Sequence, residues 1–221
     1  LRSTATASQA ALLSELDTLG ASYRPYWVVN LLAVQGNRAA VEAVAARHDV
    51  LKIESDRAFR VPLETPEIVE AAADTTSPQA ANAVEWNLNF INAPAVWALG
   101  DTGQNTVYAN SDTGIQWNHP ALQSHYRGWN GTTADHNYSW WDSIHSDIDG
   151  NGNPCGFNLT VPCDDNGHGT HTTGTGVGGD SGTNQIGVAP GAKWIGCRNM
   201  DAGVGRPSTY LECMQFFLAP T

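Results

Sequence analysis

Two histidines and one aspartate are the residues of this sequence whose types and spacing could support catalysis. His168 and His171 lie three residues apart in "NGHGTH", where the glycines beside His168 leave room for a partner to approach closely. Asp112 follows the strand-like run "VYANS" and precedes a Thr-Gly turn. An aspartate that orients an imidazole, and an imidazole that takes up a proton, are two members of a nucleophilic triad.

A zinc site is the alternative use of the two histidines. A His-x-x-His pair needs further ligands, and the candidates are His145, Asp164 and Asp165. No glutamate lies between the histidines to act as a base, unlike in zinc hydrolase motifs. Either His168 is a base and His171 is structural, or both histidines bind zinc, in which case a zinc hydrolase would copurify with its metal.

The elements that must position these side chains alternate between strands and helices after residue 85. Strands are predicted in "NTVYANSDTGI" and "IGVAPGAKWIGCRNM", and helices in "EWNLNFINAPAVWALG" and "RPSTYLECMQFFLAPT". This order predicts an α/β fold in which a parallel sheet carries helices on both faces. In such sheets the reactive groups gather at the carboxyl ends of the strands, which is where Asp112 is placed.

Residues 1–62 predict a separate small α+β domain. Helices are indicated by "SQAALLSELDTLG" and by "NRAAVEAVAARHD", with Asn37 as its cap, and strands by "WVVNLLAVQG", "VLKIES" and "RAFRVP". One further strand before Leu1 would complete a ferredoxin-like plait, so we expect the first strand of this domain to be missing. Residues 63–84, rich in Ala, Thr, Pro and acidic residues, are typical of a linker open to proteolytic processing, or simply of a loop.

Three motifs in order resemble those of the subtilisin-like serine peptidases: "SDTGIQWNHPAL", "NGHGTHTTGTGVGG" and "IGVAPGAKW". The stretch from "WNLNFINAPAVWALG" to "CRNMDAG" is most similar to the bacillopeptidase F-like members. The resemblance implies that residues 85–221 are the N-terminal part of a subtilisin-like domain, with Asp112 as the triad aspartate and His168 as the general base. It also implies that Gly203, Val204 and Gly205 pair with an extended polypeptide substrate.

The same resemblance makes residues 1–62 similar to the family's propeptide, an intramolecular inhibitor that is cleaved off. The family's nucleophile motif, Gly-Thr-Ser-[Met/Ala], does not occur in this sequence. We therefore expect a fragment, truncated before the serine and inactive alone, of a serine endopeptidase that works through an acyl-enzyme. The alternative is a natural short form that acts as a propeptide-type peptidase inhibitor or a pseudoenzyme.

Four cysteines permit three disulfide pairings. Cys155–Cys163 together with Cys197–Cys213 closes the shortest loops, and we expect disulfides because the composition is typical of an exported protein. Four buried free thiols in a reducing cell are the alternative.

A calcium site is suggested by "DIDGNGN", in which Asp147, Asp149 and Asn151 occupy alternate positions. This spacing matches the first half of an EF-hand loop, but the closing glutamate is absent. A structural calcium ion and a solvated polar turn both remain open as interpretations, and no cofactor is expected to be required for activity.

The charge balance limits the partners of this protein. Acidic residues outnumber basic residues 22 to 11, for a net charge of −11, which repels nucleic acid and anionic lipid. No apolar run is long enough to span a bilayer. We expect a secreted monomer that acts on polypeptides and binds neither nucleic acid nor membranes.

Overall fold

The computed structural model describes residues 1–63, 83–179 and 184–220. The predicted linker at 63–84 lies almost entirely outside the described residues, as does any processing site within it. Among the helices that are described, none is long and apolar enough to cross a membrane.

Residues 1–63, here called the N-terminal unit, form two helices around a β-hairpin. The elements are α1 (Arg2–Thr18), β1 (Ser22–Tyr26), β2 (Leu31–Gln35), α2 (Arg38–Ala45) and β3 (Phe59–Arg60). Strands β1 and β2 are antiparallel, with Ser22 opposite Gln35. Helix α2 begins after Asn37, whose side-chain oxygen accepts a hydrogen bond from the Ala40 backbone N–H at 3.0 Å. A ferredoxin-like plait stays a prediction for this unit.

Two element predictions in the N-terminal unit are wrong. The sequence predicts one strand over 27–36, but only Leu31–Gln35 is extended, and a turn before it leads back to the unpredicted β1. The run "VLKIES" forms no strand, because no neighbouring strand pairs with it among the described residues and Leu51 and Ile53 are exposed.

The remaining described residues, here called the sheet domain, contain the elements that carry Asp112 and His168. These are β4 (Ala83–Val84), α3 (Trp86–Phe90), α4 (Ala93–Trp97), β5 (Val107–Asp112), β6 (Trp140–Asp142), α5 (His168–Val177), β7 (Asn184–Gln185), β8 (Lys193–Arg198), β9 (Met200–Asp201), β10 (Val204–Gly205) and α6 (Pro207–Leu218). The main sheet has the order β5-β8-β6, and its three strands are parallel. Strands β4 and β7 form a second, short parallel pair.

Strand β8 divides the core of the sheet domain into two layers, because successive side chains of a strand point to opposite faces. On one face Trp194 packs with Ile115, Tyr126 and Val177, the last of which lies on α5. On the other face Ile195 and Cys197 pack with Cys213 and Phe216 of α6. The sheet is therefore covered by a helix on each face, and the predicted α/β class is confirmed.

The helix predicted in "EWNLNFINAPAVWALG" is divided into two short helices. Asn92 adopts a left-handed conformation (φ 60°) between α3 and α4, which ends the first helix. Pro94 lies in the first turn of the second helix, where its missing N–H removes no helical hydrogen bond.

Candidate active site

The carboxyl end of the main sheet brings Asp112 and His168 together. Asp112 is the last residue of β5 and His168 is the first residue of α5, and Nδ1 of His168 lies 2.7 Å from Oδ1 of Asp112. The side chain of Asp112 is 9% exposed, whereas that of His168 is 23% exposed. A buried carboxylate at Nδ1 fixes the ring and leaves Nε2, on the other side, free for proton transfer.

Further hydrogen bonds hold both oxygens of the Asp112 carboxylate. The Thr113 backbone N–H donates to Oδ1 at 2.7 Å, and the Thr172 hydroxyl donates to Oδ2 at 3.1 Å. Sequence reasoning missed Thr172, although it lies four residues after His168 and therefore on the same face of α5. The carboxylate is thus kept as an acceptor with a fixed orientation toward the imidazole.

Close packing of α5 against β5 depends on two glycines of the motifs. A Cβ atom on Gly169 would lie 2.0 Å from the carbonyl oxygen of Gly114 and 3.0 Å from Cβ of Asp112. Gly114 has φ 111°, and a Cβ there would lie 1.8 Å from the carbonyl oxygen of Cys163. A larger residue at Gly169 would push the helix away from the strand end, and one at Gly114 would push away the loop that leads to Asp164, so these glycines keep Asp112 and His168 close together.

Asn110 links the same two elements from within the strand. Its side-chain N–H groups donate to the Thr173 hydroxyl at 2.7 Å and to the Gly169 carbonyl at 3.1 Å. An asparagine in a buried strand is a signal that could have been used, since a buried amide needs partners.

An open cleft of about 640 Å³ is lined by residues that precede and follow His168 in the sequence. Its walls include Trp117, His119, Cys163, Asp164, Thr170 and His171. His171 is exposed on this wall and is separate from the Asp112–His168 hydrogen bond.

The zinc interpretation gains no support from the geometry. Within the described residues, one group of three or more His, Cys, Asp or Glu side chains lies close enough to share a metal ion: Asp147, Asp149 and Asp201. None of the histidines belongs to this group.

The acidic group, Asp147, Asp149 and Asp201, partly matches the predicted calcium site. Its ligand atoms lie within 4.8 Å of one another, and carboxylate oxygens are the ligands that calcium prefers. Sequence reasoning missed Asp201 because it comes 52 residues after Asp149 and is not part of the local sequence pattern. The Asn151 amide nitrogen donates to Oδ2 of Asp149 at 3.0 Å, so this side chain supports the loop.

Of the residues predicted to bind substrate, Val204 and Gly205 form the middle strand of a short antiparallel sheet with the order β3-β10-β9, and Gly203 lies in the turn before that strand. The chain's own β3 lies on the edge of β10, with Arg60 opposite Val204 and Phe59 opposite Gly205. The Val61 backbone N–H continues this pairing by donating to the Gly203 carbonyl at 2.9 Å. The edge of β10 is therefore paired with an extended segment of the chain itself, β3.

The cysteines form two disulfides, Cys155–Cys163 and Cys197–Cys213. The second bond joins β8 to α6 beneath the sheet, and the first closes the loop that leads to Asp164. This is the pairing with the shortest loops.

A buried ion pair supports the loops at the carboxyl end of the sheet. Arg198 is 0% exposed and donates to both oxygens of Asp142, at 3.0 and 2.8 Å.

The carboxyl group of Asp165 lies near this ion pair, and burial raises its pKa to about 6. Hydrogen bonding from Asn153 and the charge of Arg198 lower the pKa and offset only part of this increase. Oδ1 of Asp165 has no hydrogen-bond partner among the described residues.

The family model for "Subtilase family" matches residues 103–215, a segment that contains β5, α5, β8 and the Asp112–His168 pair. The chain belongs to the subtilase family. The subtilisin-like α/β fold predicted from its motifs is confirmed by this match.

Three relatives from Bacillus subtilis (strain 168) agree with this family. Bacillopeptidase F is 36% identical over 235 residues, which covers 100% of this chain and 15% of that protein. The minor extracellular protease Vpr is 28% identical, covering 80% of this chain and 18% of that protein. The major intracellular serine protease is 33% identical, covering 52% of this chain and 30% of that protein. This subtilase chain thus spans less than a third of the length of each relative.

Proposed function

We propose that this chain carries the acid–base half of a subtilisin-like serine endopeptidase, and that the whole protein hydrolyses polypeptides. The observation that carries the proposal is the 2.7 Å contact between the buried Asp112 carboxylate and Nδ1 of His168 at the carboxyl end of a parallel sheet. Asp112 holds the imidazole in one tautomer and stabilises its protonated form. His168 takes a proton from the nucleophile through Nε2 and returns it to the leaving amine.

The nucleophile of the proposed reaction is a serine outside these 221 residues, since no Gly-Thr-Ser-[Met/Ala] motif occurs among them. The serine oxygen forms a bond to the scissile carbonyl carbon, the amine leaves with the proton from His168, and water then hydrolyses the acyl-enzyme. We accordingly expect this chain alone to be inactive. A propeptide-type inhibitor or pseudoenzyme is the second candidate, favoured by the absence of the motif.

The proposed domains are an inhibitory domain at 1–62, a processed linker at 63–84 and a partial peptidase domain at 85–221. Support comes from β3, which occupies the proposed substrate strand β10 through main-chain hydrogen bonds. The Phe59 ring lies beside Tyr210 of α6, with ring centroids 5.5 Å apart. A substrate pairing with β10 would have to displace this segment, so the contact is inhibitory.

Polar contacts between the N-terminal unit and α6 support the same proposal. Oδ1 of Asp56 accepts a hydrogen bond from the Ser208 backbone N–H at 3.0 Å, at the start of α6. The Trp27 backbone N–H donates to Oε1 of Gln215 at 2.8 Å. Arg24 forms an ion pair with Glu212, which is 6% exposed. These contacts dock the unit beside the substrate strand.

Secretion and a structural calcium ion belong to the same proposal. The two disulfides support an oxidising, extracytoplasmic location for this protein. Calcium would be held by the acidic group, which in this structure is approached by Arg60, with Nη2 at 3.7 Å from Oδ2 of Asp149. A melting temperature that rises with calcium over chelator supports the ion, and an unchanged one removes it.

Labelling with a fluorophosphonate, which reacts with an activated serine, tests the proposed activity. We expect a longer protein that contains this chain to be labelled on one serine, and the 221-residue chain to stay unlabelled. Labelling of the shorter chain, or none of the longer one, would contradict the proposal.

A further inference from the structure

The carboxylate of Asp164 connects the two segments that carry the proposed catalytic pair. Its Oδ1 accepts hydrogen bonds from the Thr113 hydroxyl and from the Gly167 backbone N–H, both at 2.8 Å. Its Oδ2 accepts from the Thr170 backbone N–H at 2.8 Å and from the Thr170 hydroxyl at 2.5 Å. Asp164 thereby binds the residue after the aspartate of β5 and residues on both sides of the histidine of α5.

The Thr113 hydroxyl extends this connection to a third point of α5. While it donates to Asp164, it accepts a hydrogen bond from the Gly169 backbone N–H at 3.0 Å. Thr113 is 0% exposed, and its own backbone N–H donates to Oδ1 of Asp112. A buried hydroxyl with both a donor and an acceptor role fixes the rotation of the side chain and hence the position of the strand end.

Charge reinforces the arrangement, since the carboxylate of Asp164 lies at the positive end of the α5 dipole. A helix cap alone would require only the backbone contacts to Gly167 and Thr170. The additional bond to Thr113 reaches across to β5, which a cap does not need.

We propose that Asp164 is a positioning residue, which acts through Thr113 to hold the imidazole of His168 against Asp112. This inference rests on the proposed function for its catalytic consequence, but its geometric part concerns the 221-residue chain itself. Misplacement of a catalytic group by about 1 Å can cost on the order of 10²-fold in rate.

The test compares Thr113→Val, which removes only the hydroxyl, with Thr113→Ser, which retains it. In the 221-residue chain labelled with ¹⁵N-histidine, a hydrogen-bonded Nδ1 proton gives a downfield resonance, assigned to His168 by its loss in His168→Ala and its retention in His171→Ala. We expect Thr113→Val and Asp164→Asn to lose or shift this resonance and Thr113→Ser to restore it. Far-UV circular dichroism reports whether each variant is folded.

Asp135→Asn is the matched control, because Asp135 is an exposed loop carboxylate whose Oδ1 accepts one bond, from the Asn137 backbone N–H at 3.0 Å. An unchanged His168 resonance in folded Thr113→Val would overturn the proposal, and so would unfolding of both Thr113→Val and Thr113→Ser. A wild-type chain without the resonance would contradict the Asp112–His168 contact itself.

Kinetics of the longer protein separate this inference from the proposed function. With a positioning role, Thr113→Val lowers kcat about 10²-fold and leaves KM unchanged, while Thr113→Ser restores kcat. If the longer protein has no peptidase activity, the proposed function fails but the resonance test still decides the geometric role of Asp164.

Discussion

The N-terminal unit and the sheet domain are stabilised in different ways. The N-terminal unit buries few apolar side chains and exposes more of them; the buried ones are Ala5, Leu16, Tyr26 and Ala40, and the exposed ones include Val29, Leu31, Val34, Val41, Leu51 and Ile53. The sheet domain has a core on each face of its sheet, two disulfides and the buried Arg198–Asp142 pair.

This difference indicates which region depends on the other. Tyr26 of the N-terminal unit is 1% exposed, and its pKa is raised by burial and by the Glu212 carboxylate of the sheet domain. The hairpin thus completes its burial against α6. A sheet domain with two cores, and a unit with few buried apolar side chains docked on it, fit the proposal that residues 1–62 are a removable inhibitor.

Removal of Arg198 should have the largest effect, because Asp142 would then be a buried charge without its partner. We expect Arg198→Met to lower the free energy of unfolding by about 3–5 kcal/mol, measured by urea denaturation. Arg38→Met in the N-terminal unit is the control, since the Arg38 side chain is 90% exposed, and its change should stay within about 0.5 kcal/mol. Equal losses for both variants would remove the contrast between the two regions.

Loss of the Cys197–Cys213 disulfide should come next. The two cysteines are 16 residues apart in the sequence. Because the bond restricts the unfolded chain, we expect the double variant Cys197→Ser/Cys213→Ser to lose about 3 kcal/mol of unfolding free energy. Thermal unfolding followed by near-UV circular dichroism measures the loss. An unchanged melting temperature would show that this bond does not stabilise the sheet domain.

Replacement of Asp165 should increase the stability of the protein, in contrast to the two substitutions above, and the increase should depend on pH. Since folding raises its pKa from 3.8 to about 6, the folded protein binds this proton more tightly, and stability falls as the pH rises through that range. Asp165→Asn should therefore be more stable than wild type above pH 6, by up to about 3 kcal/mol, and equal below about pH 4. Melting temperatures across this range, with Asp135→Asn as control, check the prediction; a gain that is independent of pH would contradict it.

The docking contact of Asp56 should have the smallest effect and the most local one. Asp56→Ala removes two hydrogen bonds to Ser208 at the start of α6, which predicts a loss of about 1–2 kcal/mol. Hydrogen exchange should become faster in β1 and β2 while β8 stays protected. Asp49→Ala is the control, because Asp49 pairs with Arg47 inside the N-terminal unit. Equal protection of β1 and β2 in both variants would mean that the contact does not dock the unit.

The sequence was sufficient to predict the pairing of Asp112 with His168, because the signals for both residues are local. A strand that ends in Asp-Thr-Gly and a histidine flanked by glycines each lie within a few residues, and glycine is required where Gly169 meets Gly114. Asp164 and Asp201 could not be predicted in their observed roles, since Thr113 lies 51 residues from Asp164 and Asp149 lies 52 residues from Asp201. Strand β1 was not predicted because it contains Pro25, which argues against a central strand. In the structure β1 belongs to a two-stranded hairpin, in which both strands are edge strands and proline is tolerated.

We propose that His168, held by Asp112, is the general base of a subtilisin-like peptidase. The most direct measurement is kcat/KM for a peptide substrate in a longer, active protein that contains this chain, with His168→Ala compared with His171→Ala. His171 is a matched control, since it lies one turn away on α5 and outside the Asp112 contact. We expect a loss of about 10⁴-fold or more for His168→Ala and little change for His171→Ala. Equal losses for the two variants, or activity retained by His168→Ala, would contradict it.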